Sequence, residues 1–294
     1  MKKLIHSLSE KRAFEKGAAA LLLIFLCLAG AASGQTQSGT PYVPSSPSKF
    51  HLGLGLAPNA SFGMSRDYAH YNDGLLGQFG YRFIFDIMFT DTYAISTGVN
   101  VYNTGGNVIR YALSDAQSEL DVVEAIEWEQ RLQYVELPVT FKMRTREIGY
   151  TTFTGQFGAG FGLNVRAEAD ERRWATWTRD AIDPEASWTL TGNEPGEEWT
   201  RVILDDRNAE ADLIKLFRPS MIIGLGMERR FTGSTALLVG LDYSMGLGSV
   251  YTDRVPEILR TTDDRSVQFA NDEPINVNMN GKSAALTLTI GVMF

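Results

Sequence analysis

Few residues of this chain belong to the types that commonly perform catalysis. Only His51 and His70 of the three histidines lie in the body of the chain, and His70 stands near Ser65, Asp67 and Asp73. Histidine with serine and aspartate is the residue set used in nucleophilic acyl transfer and proteolysis. Serine and aspartate are also ordinary loop residues, and nothing in this spacing fixes their geometry. We therefore expect a protein that is not an enzyme, with acyl transfer or proteolysis through His70 as the alternative.

Four of the five tryptophans fall between residues 167 and 212, a stretch expected to be a loop. They are Trp174, Trp177, Trp188 and Trp199. Exposed tryptophans offer a large apolar area to a partner protein, a glycan or lipid headgroups, so we predict a partner-binding loop. The alternative is that they pack against a folded loop or against extended strands. The acidic run "LDDRNAEAD" in the same stretch could hold a cation, but its spacing matches no EF-hand loop, and no metal or cofactor is predicted.

Charged residues recur at alternate positions within otherwise apolar segments. A strand places alternate residues on opposite faces, so these charges share one face and the apolar residues share the other. Charges of both signs in a narrow interior are expected to pair, because burying an unpaired charge is costly. We predict a network of lumen charges formed by Arg82, Asp86, Glu136, Lys142, Arg144, Arg166, Arg218, Glu228 and Asp242. Such a network predicts a plugged interior, with a narrow gated channel as the alternative.

Eight β-strands are expected to position these residues. From residue 49 onward, eight segments alternate with period two; the first reads "FHLGLGLA" and the last reads "ALTLTIGVMF". The segments are rich in Phe, Tyr, Val, Thr and Gly and are separated by turn residues, as in all-β proteins.

The connections between these segments alternate between long and short. The turns "TD", "REIG" and "TGS" join segments two and three, four and five, and six and seven. The other four connections run for about a dozen to forty-five residues, longer than usual hairpin loops. An even strand number with all long connections at one end is typical of outer-membrane barrels. The sequence therefore predicts an all-β fold, an eight-stranded antiparallel up-and-down transmembrane β-barrel with short periplasmic turns and long outer loops; a soluble β-sandwich is the alternative.

Aromatic residues collect on the apolar faces near the short turns. They are Phe50, Phe89, Tyr93, Phe153, Phe231 and Phe294. A girdle of aromatic side chains is expected where a barrel wall meets the membrane–water interface. Phe294 also resembles the C-terminal aromatic residue that the barrel-assembly machinery reads in outer-membrane proteins, which makes that machinery an expected partner.

The N-terminal residues follow the plan of a secretory signal. Five basic residues precede the apolar run "GAAALLLIFLCLAG" and the small residues "AASG", which predicts cleavage after Gly34. We expect residues 1–34 to be a cleaved signal peptide, residues 35–48 a flexible periplasmic linker, and residues 49–294 the outer-membrane β-barrel. Cys27 is the single cysteine, so the mature chain would have no thiol chemistry.

The charge balance restricts the partners of the mature chain. The whole chain has 27 Lys and Arg against 35 Asp and Glu, and residues 1–34 hold five of the basic and two of the acidic residues, so the mature chain would carry a net charge of −11. This negative charge opposes binding to nucleic acid. No long apolar run follows the signal peptide, so the expected surroundings are outer-membrane lipid crossed by strands.

The segment "YVELPVTFKMRT" followed by "EIGYTTFTGQFGAGFGLNVRAEAD" resembles the PorT-like family of outer-membrane β-barrels, whose members have a Tyr-x-Glu-x-Pro strand before a Gly-rich strand. Here the motif residues are Tyr134, Glu136 and Pro138. The resemblance implies an accessory or assembly role in a type IX-like secretion or gliding machinery, with its proteins as partners; a general surface-interaction barrel is the other interpretation. Pro138 lacks an N–H and predicts a bulge, and Glu136 suits an inward arginine.

Overall fold

The computed structural model describes residues 50–65, 70–72, 74–114, 120–180, 189–190, 198–204, 213–252, 256–258, 269–270, 273–274 and 276–294. Within these ranges, no helix is long and apolar enough to cross a membrane. The strands are β1 (Phe50–Leu56), β2 (Asn59–Ser65), β3 (His70–Asn72), β4 (Leu76–Gln78), β5 (Gly80–Met88), β6 (Tyr93–Ser114), β7 (Leu120–Arg144), β8 (Thr151–Asp180), β9 (Thr189–Leu190), β10 (Thr200–Ile203), β11 (Phe217–Thr232), β12 (Thr235–Gly246), β13 (Pro256–Ile258), β14 (Phe269–Ala270), β15 (Glu273–Pro274), β16 (Asn276–Asn278) and β17 (Gly281–Met293).

Eight of these strands form a closed antiparallel ring in the order β1, β5, β6, β7, β8, β11, β12, β17. The ring closes where Gly53–Leu56 pair with Ile290–Met293, and the Phe294 N–H donates to the Leu52 carbonyl at 2.7 Å. β2 continues beside β17 beyond β1, an extension that the eight-segment pattern does not predict. Closure leaves the ring no free edge, and the predicted eight-stranded antiparallel barrel is confirmed.

The two faces of the wall follow the period-two pattern. On β7, Leu137 and Val139 are exposed on the outside, whereas Glu136 and Lys142 are buried inside. The same alternation surrounds the ring with exposed apolar side chains, which require an apolar solvent. All six residues of the predicted aromatic girdle are exposed on the wall, as that prediction requires: Phe50, Phe89, Tyr93, Phe153, Phe231 and Phe294.

Three ring strands continue far beyond the wall at the end opposite the short turns. β6, β7 and β8 have 22, 25 and 30 residues, whereas about 9–11 residues cross a membrane. The period-two alternation of the sequence ends near residue 102, begins again near residue 132 and ends near residue 169, which predicts loops elsewhere. Instead, β7 remains paired with β8 as far as Leu120 and with β6 as far as Val122, so the sheet continues beyond the wall. We call the described parts of residues 103–131, 167–215 and 247–280 the head.

An apolar core lies where the head joins the lumen end of the ring, and both contribute residues to it. Its largest members are Trp128, Tyr134 and Leu132, which point inward from β7 and are almost inaccessible to solvent. Residues from the neighbouring segments complete it: Tyr102, Val108, Ile126, Ala167, Ala169, Leu204, Ile214, Val250, Tyr251 and Met279. Apolar burial of this extent gives the head a packed structure of its own.

Candidate functional site: the filled lumen and the head

The layer of the lumen nearest the short turns is a cluster of ion pairs. Lys142 Nζ donates to Asp86 Oδ2 at 2.7 Å and to Glu228 Oε1 at 2.8 Å. Arg144 donates to the other oxygen of Glu228, and its Nη1 lies 3.0 Å from Nδ1 of His51. Since two cations face two carboxylates, the charges balance, as a buried cluster requires. The cluster ties β5, β7 and β11 together across the lumen.

A second layer lies above this cluster. Arg82 from β5 pairs with Asp242 from β12, and Gln156 from β8 donates to the other oxygen of that carboxylate. Two cavities of about 40 and 20 Å³ lie next to this layer, with Arg82 and Asp242 in the walls of both. Such volumes hold a few water molecules but no solute.

The third layer is centred on Glu136. Its Oε2 accepts hydrogen bonds from Tyr102 Oη and Ser220 Oγ, each at 2.9 Å, and its Oε1 accepts one from Asn100 at 3.3 Å. Arg218 Nη1 lies 3.8 Å from the same carboxylate and donates to Tyr102 Oη at 2.7 Å. The layer therefore contains a fully buried carboxylate with a cation and three neutral donors.

Glycine in β8 makes room for this carboxylate. A Cβ at Gly160 would lie 2.5 Å from the Glu136 carboxylate and 2.5 Å from Ser220 Oγ. The Tyr-x-Glu-x-Pro motif and the Gly-rich strand that follows it are thus complementary, because the long buried side chain of one strand fills the space left by the other. Glu136 has the inward arginine that we expected.

The expected bulge at Pro138 is wrong. Pro138 pairs with Gly160 without a register shift, and its carbonyl accepts a hydrogen bond from Thr97 Oγ1 at 2.8 Å. The nearest register shift lies at Gln133/Tyr134 instead, and a second one lies at Glu124/Ala125.

Because of the bulge at Gln133/Tyr134, the prediction is wrong for one of the nine lumen residues. The structure places eight of them inside the ring, but Arg166 faces outward, with 61% of its side chain exposed and Glu168 as its partner. β8 carries one extra residue, Val165, opposite the Gln133/Tyr134 step, so the alternation that would have put Arg166 inside changes sides.

Neutral lumen residues were missed by the sequence reasoning. Tyr102, Gln156 and Ser220 hold the buried carboxylates, and Ser283 accepts from Arg218 through its Oγ at 2.9 Å and through its carbonyl at 3.0 Å. Each of them lies on the polar face of its strand, which is the sequence signal that identifies it.

The tryptophan-rich stretch is not a single loop. Trp174 and Trp177 belong to β8, where they pair with Ala125 and Val123, while Trp188 lies outside the described residues. Trp199, just before β10, is 43% exposed, and the Arg172 guanidinium lies 4.5 Å from its ring centroid. The predicted loop at residues 167–212 is therefore wrong for residues 167–180 and 200–203, because these pair as strands.

The alternative catalytic set is only partly described. His70 begins β3, whose backbone pairs it with Arg110 of β6, and Ser65 ends β2. Asp67 and Asp73 lie outside the described residues, as does most of the run "LDDRNAEAD". No catalytic geometry follows from these positions.

Residues 34–252 match the family model for the outer membrane protein β-barrel domain. The chain belongs to this family. The match spans most of the ring and the head, and no curated protein matches the chain.

Solved barrels are similar to this barrel domain at low identity. Neisserial surface protein A has 11% identity, with 84% of this chain and 96% of that chain covered and a TM-score of 0.37. Ail, the attachment invasion locus protein of Yersinia pestis, has 11% identity, with 83% of this chain and 97% of that chain covered and a TM-score of 0.31. The outer membrane protease OmpT of Escherichia coli has 9% identity, with 86% of this chain and 98% of that chain covered and a TM-score of 0.33. The assignment therefore rests on the family match and on the closed ring of eight strands.

Membership of this family places the barrel domain in the outer membrane. The exposed apolar band faces lipid, the short turns face the periplasm, and the head faces the outside of the cell.

Proposed function

We propose that this barrel domain is not an enzyme and does not conduct solutes, but acts by presenting its head at the cell surface to another protein. The observation that carries the proposal is the filling of the lumen. Three polar layers and the apolar core of the head succeed one another along it, and the two cavities beside the middle layer hold no more than water. Because the lumen is filled, the outer surfaces of the barrel, including the head, are the surfaces available to bind another protein.

The resemblance of residues 134–138 and the following strand to PorT-like barrels supports a class of partner. We propose an accessory or assembly role in a protein secretion machinery of the type IX kind. In the structure, the motif residue Glu136 holds lumen side chains together, so the motif supports the barrel rather than contacting a partner. The partner surface is therefore expected on the head.

Planar-bilayer recordings of the purified, folded chain test the closed lumen. We expect no steady conductance steps, because paired charges and the apolar core occupy the path. The double variant Lys142→Ala/Glu228→Ala removes part of the ion-pair cluster nearest the short turns, and its conductance is compared with that of the parental chain. Large, steady steps from the parental chain would contradict the proposal.

Affinity capture from gently solubilised outer membranes tests the partner surface. We expect secretion-machinery proteins to be recovered with the parental chain, and recovery to fall when Trp174, Trp177, Trp188 and Trp199 are replaced by alanine. Folding of the variant is checked by heat-modifiability on gels, since the strands supply their own hydrogen bonds. His70→Ala is the matched control and should leave recovery unchanged, and an equal loss of recovery with that variant would contradict the assignment of the partner surface to these tryptophans.

A further inference from the structure

A groove follows the outside of the wall at the level where the apolar band ends. Along β7 the outward side chains are apolar from Met143 to Val135, a length close to the about 9–11 residues that cross a membrane. The next outward residue, Gln133, is polar. Gln133 and the outward residues that precede it in β7 therefore lie among the headgroups of the outer leaflet.

Three arginines from three adjacent strands meet in this groove. Arg131 of β7, Arg166 of β8 and Arg201 of β10 line a space of about 780 Å³, and their side chains are 46%, 61% and 59% exposed. Glu168 is the one acidic residue that lines the same space.

The bulge in β8 supplies an independent observation. Regular alternation would place Arg166 in the lumen, as the sequence alone indicated. The extra residue Val165 turns the arginine outward at the boundary of the apolar band, and bulges commonly serve to re-aim a side chain. The fold thus adds a third cation to the groove by a local irregularity.

The arginines also have acidic neighbours. Arg131 pairs with Glu129 at 3.0 Å and with Asp170 at 3.1 Å, and Arg201 pairs with Asp170 at 3.2 Å. Arg166 pairs with Glu168 at 2.7 Å. Exposed ion pairs of this kind stabilise little, but they hold the guanidinium groups in position. A phosphate carries more charge than a carboxylate and accepts paired hydrogen bonds from guanidinium, so it can displace these neighbours.

We propose that this groove binds the phosphate groups of an anionic phospho-lipid of the outer leaflet. The arginines contact the phosphates, while Phe79 and Pro58, which line the same groove, contact the upper part of the lipid. Arg131 and Arg201 belong to the head, so the site lies where the head meets the apolar band, and it would anchor the barrel among phosphorylated lipids.

Lipid retention by the full, folded chain in detergent tests this proposal. The probes are diphosphorylated lipid A and dephosphorylated lipid A, supplied in the presence of EDTA and compared by native mass spectrometry. We expect preferential retention of the phosphorylated form by the parental chain. Arg131→Gln/Arg166→Gln/Arg201→Gln should weaken it by about tenfold or more, since several charge-assisted contacts are lost.

A matched variant controls for the loss of charge. Arg173→Gln/Arg229→Gln/Arg230→Gln removes three cations away from the groove and should retain the lipid as the parental chain does. Equal retention by the groove variant and the parental chain would overturn the proposal. Equal retention of phosphorylated and dephosphorylated lipid A by the parental chain in EDTA would also overturn it, because cation-bridged carboxylates would then account for any retention seen without EDTA.

Discussion

Removing the carboxylate of Glu136 should destabilise the barrel strongly. In Glu136→Ala, the buried guanidinium of Arg218 loses its carboxylate, and the hydroxyls of Tyr102 and Ser220 lose their acceptor. Breaking one side of a buried, hydrogen-bonded pair costs about 3–5 kcal/mol. Glu136→Gln keeps an acceptor oxygen but not the charge, so we expect a smaller loss of about 1.5–3 kcal/mol, as for a hydrogen bond to a charged group.

These losses of stability are measured by urea unfolding of the refolded chain in lipid vesicles. Tryptophan fluorescence and heat-modifiability on gels report the unfolded fraction. Glu168→Ala is the control, because it breaks the exposed pair with Arg166 and should cost about 0–1 kcal/mol. Glu136→Leu combined with Arg218→Met should recover part of the stability, since no buried charge is then left unpaired. If Glu136→Ala were no more destabilising than Glu168→Ala, the Glu136 layer would not hold the strands together.

Two further changes test other parts of the wall. Lys142→Met leaves the carboxylates of Asp86 and Glu228 without their shared cation, so the same unfolding measurement should show a loss of about 3–5 kcal/mol. Gly98→Ala should destabilise by more than about 1 kcal/mol, because Gly98 has φ 146° and an added Cβ would collide with the backbone of β5. Gly155→Ala is its control, since the nearest atom to a Cβ there lies 3.7 Å away, and equal unfolding midpoints for the two glycine variants would contradict the reasoning.

The barrel and the inward position of most lumen charges could be predicted from the sequence because they depend on local properties. Side-chain direction alternates with every residue of a strand, so the pattern around Glu136 and Lys142 shows which residues share a face. Turn length is equally local, and the alternation of short and long connections indicated an even, up-and-down ring. The aromatic girdle followed from the same two observations.

The extent of the head could not be read from the sequence. In residues 103–131 and 167–180 charged residues such as Glu127 and Arg172 interrupt the apolar pattern, which favours loops in a local interpretation. Their strand pairing depends instead on contacts across the sheet: Arg172 donates to Glu127, and Trp128 Nε1 donates to Glu171 at 2.9 Å. Cross-strand pairs of this kind exist only once the neighbouring strands are in register.

The tertiary structure also decided which charges meet and which face Arg166 takes. Lys142 finds Asp86 and Glu228 at separations of 56 and 86 residues, and only the closed ring brings them to one level of the lumen. The outward turn of Arg166 comes from a bulge set by the pairing of β7 with β8. A strand's own sequence determines how its side chains alternate, but the register against its neighbours determines where that alternation is interrupted.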